Sequence, residues 1–142
     1  MTVVTENILR QQTFKEIYNL IDTNKPIGWT VLASYPEIKP VFPVIIVNPV
    51  TDNAALLDLC GEQREHILDI LIDIYTLSKE GKSQVDEGRD NIFATFLANQ
   101  SILRTGSGLI LLGLDDSNVD SVTLNDQKLN LATVAVRLRL QN

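Results

Sequence analysis

One cysteine, one histidine and one tryptophan in 142 residues leave little material for most kinds of protein chemistry. Cys60 alone excludes an intramolecular disulfide and any cysteine-rich metal site. His66 is the only imidazole. Six residues from Cys60, it makes with it the two residue types of a nucleophile and its base. No third orienting group accompanies them, and a lone cysteine beside Leu57 and Leu59 reads as a small buried hydrophobe. No apolar run approaches the ~18 residues of a membrane span, and no basic-then-apolar leader opens the chain. The expectation is a protein made and folded in a cytoplasm, with no membrane partner.

Positive charge is also scarce. The net charge of -6 comes from one stretch: residues 51–90 hold ten acids against four bases, whereas residues 1–50 and 91–142 each balance four against four. Phosphate contacts need Lys and Arg, so a polyanion is a poor ligand for the acidic stretch. A solvated acidic face is the plain alternative. The 44% hydrophobic and 21% charged fractions are those of a soluble globular protein. The length suits a single α+β domain over 1–142 with one hydrophobic core.

What is present is organised around Glu65 to Thr76. At period two, Leu68, Ile70, Ile72 and Ile74 fall on one face, and Ile67, Asp69, Leu71, Asp73 and Tyr75 on the other. That pattern predicts a central strand, sealed on one side and partly wetted, or touching a partner, on the other. Helical spacing also fits Ile67, Ile70, Leu71 and Ile74, but it would stack Glu65, Asp69 and Asp73 at i,i+4. On that helix His66, Asp69 and Asp73 would share a face as metal ligands. On a strand His66 points away from both aspartates, so no metal site is expected.

Upstream, Thr5 is placed to cap a helix reaching Ile21, with Phe14, Ile17, Tyr18 and Ile21 in one stripe. Gly28–Tyr35 and Phe42–Val47 read as two adjacent antiparallel strands, the second beginning at a sheet edge or pairing on one side only at Pro43. Trp29 is expected to be a core or interface anchor. Residues 50–64 break the pattern and read as an irregular arm or loop, with Leu56, Leu57 and Leu59 lacking an obvious place in the core.

Downstream, Ser78 or Ser83 is placed to cap a helix running to Ala98. Its apolar arc is Val85, Ile92, Phe93, Phe96 and Leu97, while Glu87, Asp90 and Asn91 face away. Gly88 costs up to about 1 kcal/mol against Ala in a helix, which implies close packing on the sheet. Asn99–Ser107 reads as a loop. Gly106-Ser107-Gly108 has no lysine and precedes a strand, so it is a turn and no phosphate cradle. Strands follow at 109–114, 119–124 and 129–140. Arg137 and Arg139, alternating on the last, are expected to pair with carboxylates across the sheet or to keep the outer strand face soluble. The fold class is α+β: a mostly antiparallel sheet with two amphipathic helices packed on it. No catalytic or cofactor-binding residue is assigned.

The order of a leading helix, the strand Pro43-Val44-Ile45-Ile46-Val47, and Ile72-Asp73-Ile74-Tyr75-Thr76 followed by Ser78-Lys79 carries a resemblance. The helix Ser83–Asn99 and the closing Val134-Ala135-Val136-Arg137-Leu138-Arg139-Leu140 extend it over nearly the whole chain. This pattern resembles the tail terminator (tail completion) proteins of long-tailed phages and related viruses. The resemblance implies a structural virion protein, with no enzyme activity and no cofactor, assembled in the host cytoplasm and residing in the tail. Its partners would be further copies of itself in a ring, typically a hexamer, the tail tube protein, the head-connector protein, and DNA passing through without specific binding. Channel-lining candidates are then Asp86, Glu87 and Asp90 on the helix and Asp69 and Asp73 on the strand. Subunit-interface candidates are Leu56, Leu57, Leu59, Tyr75 and Trp29. A head-completion (neck) protein of the same kind of virion, or a small cytoplasmic ligand-binding or regulatory domain, are the alternative roles.

Overall fold

A computed structural model describes residues 6–36, 40–56 and 64–141. Its centre is the long strand β4 (Arg64–Leu77), which pairs antiparallel with the similarly long β7 (Gln127–Gln141) from Glu65↔Gln141 to Leu77↔Leu129. Period two holds throughout: Leu68, Ile70, Ile72 and Ile74 are buried, and so are Ala132, Val134, Val136 and Leu138 facing them. Aliphatic residues at every second position keep one face of both strands dry, and that fixes their register.

Around this pair the sheet has seven strands, in the order β1-β2-β4-β7-β5, with β3 also on β4 and β6 also on β7. The flanking strands are β1 (Thr30–Leu32), β2 (Val44–Val47), β3 (Thr51–Leu56), β5 (Leu109–Asp116) and β6 (Asp120–Leu124). Three helices, α1 (Glu6–Asn24), α2 (Lys82–Ala98) and α3 (Gln100–Ser107), supply the other layer. Ile17 and Ile21 of α1, Val85, Ile92 and Phe96 of α2 and Leu103 of α3 join the dry sheet face in one core. Among the described residues no helix packs on the opposite face. The fold is α+β, as expected.

Four local expectations change. The strands β1 and β2 are parallel, Thr30 beside Val44, because the eleven residues between Leu32 and Val44 carry the chain over instead of turning it back. Parallel neighbours need such a crossover. Residues Thr51–Leu56, expected to be irregular, form β3 along the first half of β4; residues 57–63 lie outside the described residues, and so does Thr5. Gln100–Ser107 is a helix, not a loop. Gly108, at φ 69°, is its left-handed cap and donates its amide to Arg104, so the glycine read as loop punctuation is a helix stop. Neither serine caps α2: Ser78–Glu80 forms a single 3-10 turn, and Gly81 takes the cap position without a side-chain bond. By contrast the Asn125-Asp126 turn behaves as its sequence dictates. Both residues sit at positive φ, 51° and 62°, the conformation that closes a two-residue hairpin between β6 and β7.

Trp29 is a core residue, 5% exposed, and its interface candidacy falls. Its ring lies against Gly88 of α2. A Cβ built on Gly88 would stand 2.6 Å from Trp29 Cη2, 2.8 Å from Cζ3 and 3.0 Å from Ile74 Cγ2. Glycine here lets the helix close on the indole and on β4. Exchanging Gly88 for Ala ordinarily stabilises a helix by up to about 1 kcal/mol. Here the sign reverses: Gly88→Ala should lower the unfolding free energy by about 1–3 kcal/mol through overpacking, measured by urea denaturation. A stabilised variant would show that the Trp29 contact is loose.

Candidate assembly surfaces

The outer face of β4 alternates charge and apolar surface, and β7 answers it position by position. Asp69 stands opposite Arg137 and accepts from its Nε at 2.8 Å and its Nη2 at 3.3 Å. That hydrogen bond, then the carboxylate charge, raises the Arg137 guanidinium above its ordinary value. Asp73 accepts from Thr133 Oγ1 at 2.8 Å and from Asn48 Nδ2 at 2.9 Å. The expected pairing of Arg137 across the sheet is therefore present. The two channel-lining candidates on the strand are already engaged with neighbours in their own chain.

Between these two polar pairs stands Leu71, 49% exposed on the central strand. Its own carbonyl accepts from the backbone N and from Nδ2 of Asn48, so the main chain is held while the side chain stays bare. Tyr75 is half-buried: the ring of Tyr35, from the β1–β2 link, meets it edge-on with centroids 5.2 Å apart at 67°. Burial, then Asp73, then Tyr35 push the Tyr75 hydroxyl above its ordinary value, and burial does the same to Tyr35. Beside them Val44 and Ile46 are buried on this face, which makes a small second apolar cluster at the β2 end. Tyr75 is thus partly consumed within the chain, and Leu71 is the more open of the two.

The helix layer is apolar outside as well. Leu97 (58% exposed) and Ile102 (61%) face outward from α2 and α3. Leu97 was expected in the core arc, but it lies in the last turn of α2, where the chain leaves for α3. Leu97, Phe93, Leu111, Leu112 and Leu114 line a groove of about 400 Å³ beside β5. A bulge between Leu111 and Gly113 shifts the register and turns Leu112 out, 45% exposed. Sequence pattern alone did not mark Leu112, because a bulge leaves no mark in a run of leucines. A second groove, about 460 Å³, lies along α1 between Phe14, Ala33, Pro49 and Val50, with Arg10 and Lys15 on it.

The α2 acids are spread over its open side. Glu87 and Asp90 are exposed, and Asp86 pairs with Arg89, which also reaches Asp116 at 3.2 Å. Leu57 and Leu59 lie outside the described residues, and of Leu56 only the backbone, paired with Arg64, is described.

His66 is on the core side of β4, away from Asp69 and Asp73 as expected, and it has a partner that the sequence did not reveal. Its Nδ1 lies 3.0 and 2.9 Å from the two oxygens of Asp52, and both side chains are almost fully buried, 3% and 2% exposed. A carboxylate at that distance makes Nδ1 the protonated nitrogen. Asp52 escaped notice because only the strand β3 brings it to the core side of His66. Cys60 lies outside the described residues. Among the described residues no group of three or more His, Cys, Asp or Glu is placed to hold a metal, and no helix is long and apolar enough to cross a membrane.

No family model and no curated protein sequence matches the chain. Among solved structures it is similar to a chain described as "Virion of native gene transfer agent (GTA) particle". The two share 15% identity at a TM-score of 0.43, over 89% of this chain and 84% of that one.

The buried pair changes what a histidine substitution does. His66→Ala should leave the Asp52 carboxylate without its imidazole donor and cost at least ~1–3 kcal/mol of stability. His66→Asn, which keeps an N–H, should cost less. Urea unfolding of both variants against wild type decides it; an alanine variant within ~0.5 kcal/mol of wild type would mean the pair contributes nothing.

Proposed function

We propose that this protein is a ring-forming structural component of a virion tail, a tail terminator that caps the tail tube, ends its polymerisation and offers the surface to which the head docks. The observation that carries the proposal lies on the outer face of the sheet: a central strand with Leu71 half exposed between two fixed polar pairs. A subunit stacked on this face would cover that leucine, and the ordered ion and hydrogen-bond partners around it would set the orientation. The helix layer offers a second and different apolar surface in Leu97, Ile102 and the β5 groove. A ring built head to tail needs two unlike patches on each subunit; the outer sheet face of one copy against the helix layer of the next meets that need. The sequence resemblance supports the same role and supplies the tail tube and head connector as neighbours.

In such a ring, of the channel candidates named from the sequence, those left over by internal pairing belong to α2. Glu87 and Asp90 are the better lumen candidates, with Asp86 partly neutralised by Arg89. A lining of fixed negative charge lets DNA pass without being held, because phosphate binding needs cations.

Light scattering of the purified protein over a concentration series, with and without tail tubes, tests the ring. Wild type should form a closed oligomer, a hexamer on the resemblance. Leu71→Lys should abolish it while leaving the urea midpoint within experimental error, since the side chain already faces water. A wild type that stays monomeric under all these conditions would refute the proposal. Particles carrying Glu87→Lys and Asp90→Lys should still join heads to tails but release DNA more slowly; release at the wild-type rate would remove these residues from the lumen.

A further inference from the structure

Two grooves of the helix layer are open to the outer sheet face of a second copy, and charge separates them. On that face Asp73 lies two residues from Leu71, on the same side of β4 and ~7 Å along the strand. It accepts hydrogen bonds from Thr133 and Asn48. Among the described residues no cation pairs with it. The exposed leucine therefore has a carboxylate without a counter-ion at its side.

The groove beside β5 is bordered by the same sign. Asp90, Phe93 and Leu97 recur at i, i+3 and i+7 on α2, so Asp90 shares a stripe with the two residues that line the groove. Glu87, exposed like Asp90, precedes it by one turn. The groove along α1 is bordered by the opposite sign. Arg10 and Lys15 flank Phe14 there, and Ala33, Pro49 and Val50 complete the lining. Among the described residues neither cation is engaged in an ion pair.

We infer that Leu71 of one copy seats in the α1 groove of the next, against Phe14 and Val50, with Asp73 facing Arg10 and Lys15. The inference rests on the ring proposed above and names the contact that joins its subunits. One chain cannot make this contact with itself, because α1 packs on the dry face of the sheet and Leu71 stands on the other. Each copy offers its groove to one neighbour and its leucine to another, the head-to-tail arrangement from which rings close. Burial of the leucine drives the association. Charge selects the groove, since Asp73 would meet like charges beside β5.

Cross-linking between two kinds of full-length chain tests the contact. In a Cys60→Ser background one chain carries Leu71→Cys, and the other carries Ala33→Cys on the exposed groove wall. A short bis-maleimide should give a covalent dimer from the mixture and none from either chain alone. Adding Arg10→Glu and Lys15→Glu to the Ala33→Cys chain should remove most of that product. No product from the mixture, or a product from Leu71→Cys alone, overturns the inference. So does a yield indifferent to the charge reversal, or a greater yield when Leu97→Cys replaces Ala33→Cys. Light scattering of the wild type separates this contact from the ring. A closed oligomer without the cross-linked dimer leaves the ring and removes the α1 contact. The cross-linked dimer alongside a wild type that never closes upholds the contact and refutes the ring. A monomer with no cross-link refutes both.

Discussion

The pairing of β4 with β7 is the constraint on which everything else in this molecule depends. One side of that two-stranded ribbon interleaves Leu68, Ile70 and Ile72 with Leu138, Val136 and Val134; the other sets Asp69 against Arg137 and Asp73 against Thr133. A slip of either strand by one residue would turn its charged groups, Asp69 and Asp73 or Arg137, toward the core and its aliphatic ones outward, so the register is held from both sides. With it fixed, β2 and β3 share the remaining edge of β4, β5 and β6 share that of β7, and α1 and α2 close over the dry face. The indole of Trp29 and Ile74 of β4 both lie close against Gly88 of α2.

The same ribbon explains why its surfaces differ in kind. Helices seal one face completely, and on the other the chain satisfies its own polar groups while leaving an aliphatic side chain open. Carboxylates that are matched by Arg137, Thr133 and Asn48 are fixed in place. A partner approaching this face meets an ordered pattern of charge around a small apolar centre. Such a surface favours one docking orientation over others, because a rotated partner would strand the paired charges against apolar groups.

Much of this was legible in the sequence where period and composition agree. The alternation of Ile70, Ile72 and Ile74 marks the central strand, and Gly88 in a helix pointed to the close packing that Trp29 provides. Legibility failed where the deciding partner is remote. Thr51–Leu56 has no strand pattern of its own and becomes a strand because β4 offers it an edge. The direction of β1 depends on the path of the link that follows it, not on the strand's own residues. Asp52 and His66, fourteen positions apart, meet only once that edge is filled. Exposed Leu97 and Leu112 depend on a helix end and a bulge, both invisible to hydropathy. Trp29 was given two fates by sequence, and packing chose the core.

The shape of β1 and β5, two of the strands on the borders that β3 and β6 also form, bears on edge-to-edge growth. At one border β1 has only three residues; at the other β5 is broken by its bulge and ends in Asp115 and Asp116. Short, kinked and acidic borders are poor templates for another chain's backbone. At these two strands, joining border to border into an endless ribbon, the route by which β-rich chains form fibres, is therefore discouraged. In the proposed ring, association would fall to side chains on the broad faces, where shape sets the curvature and the number of copies is finite.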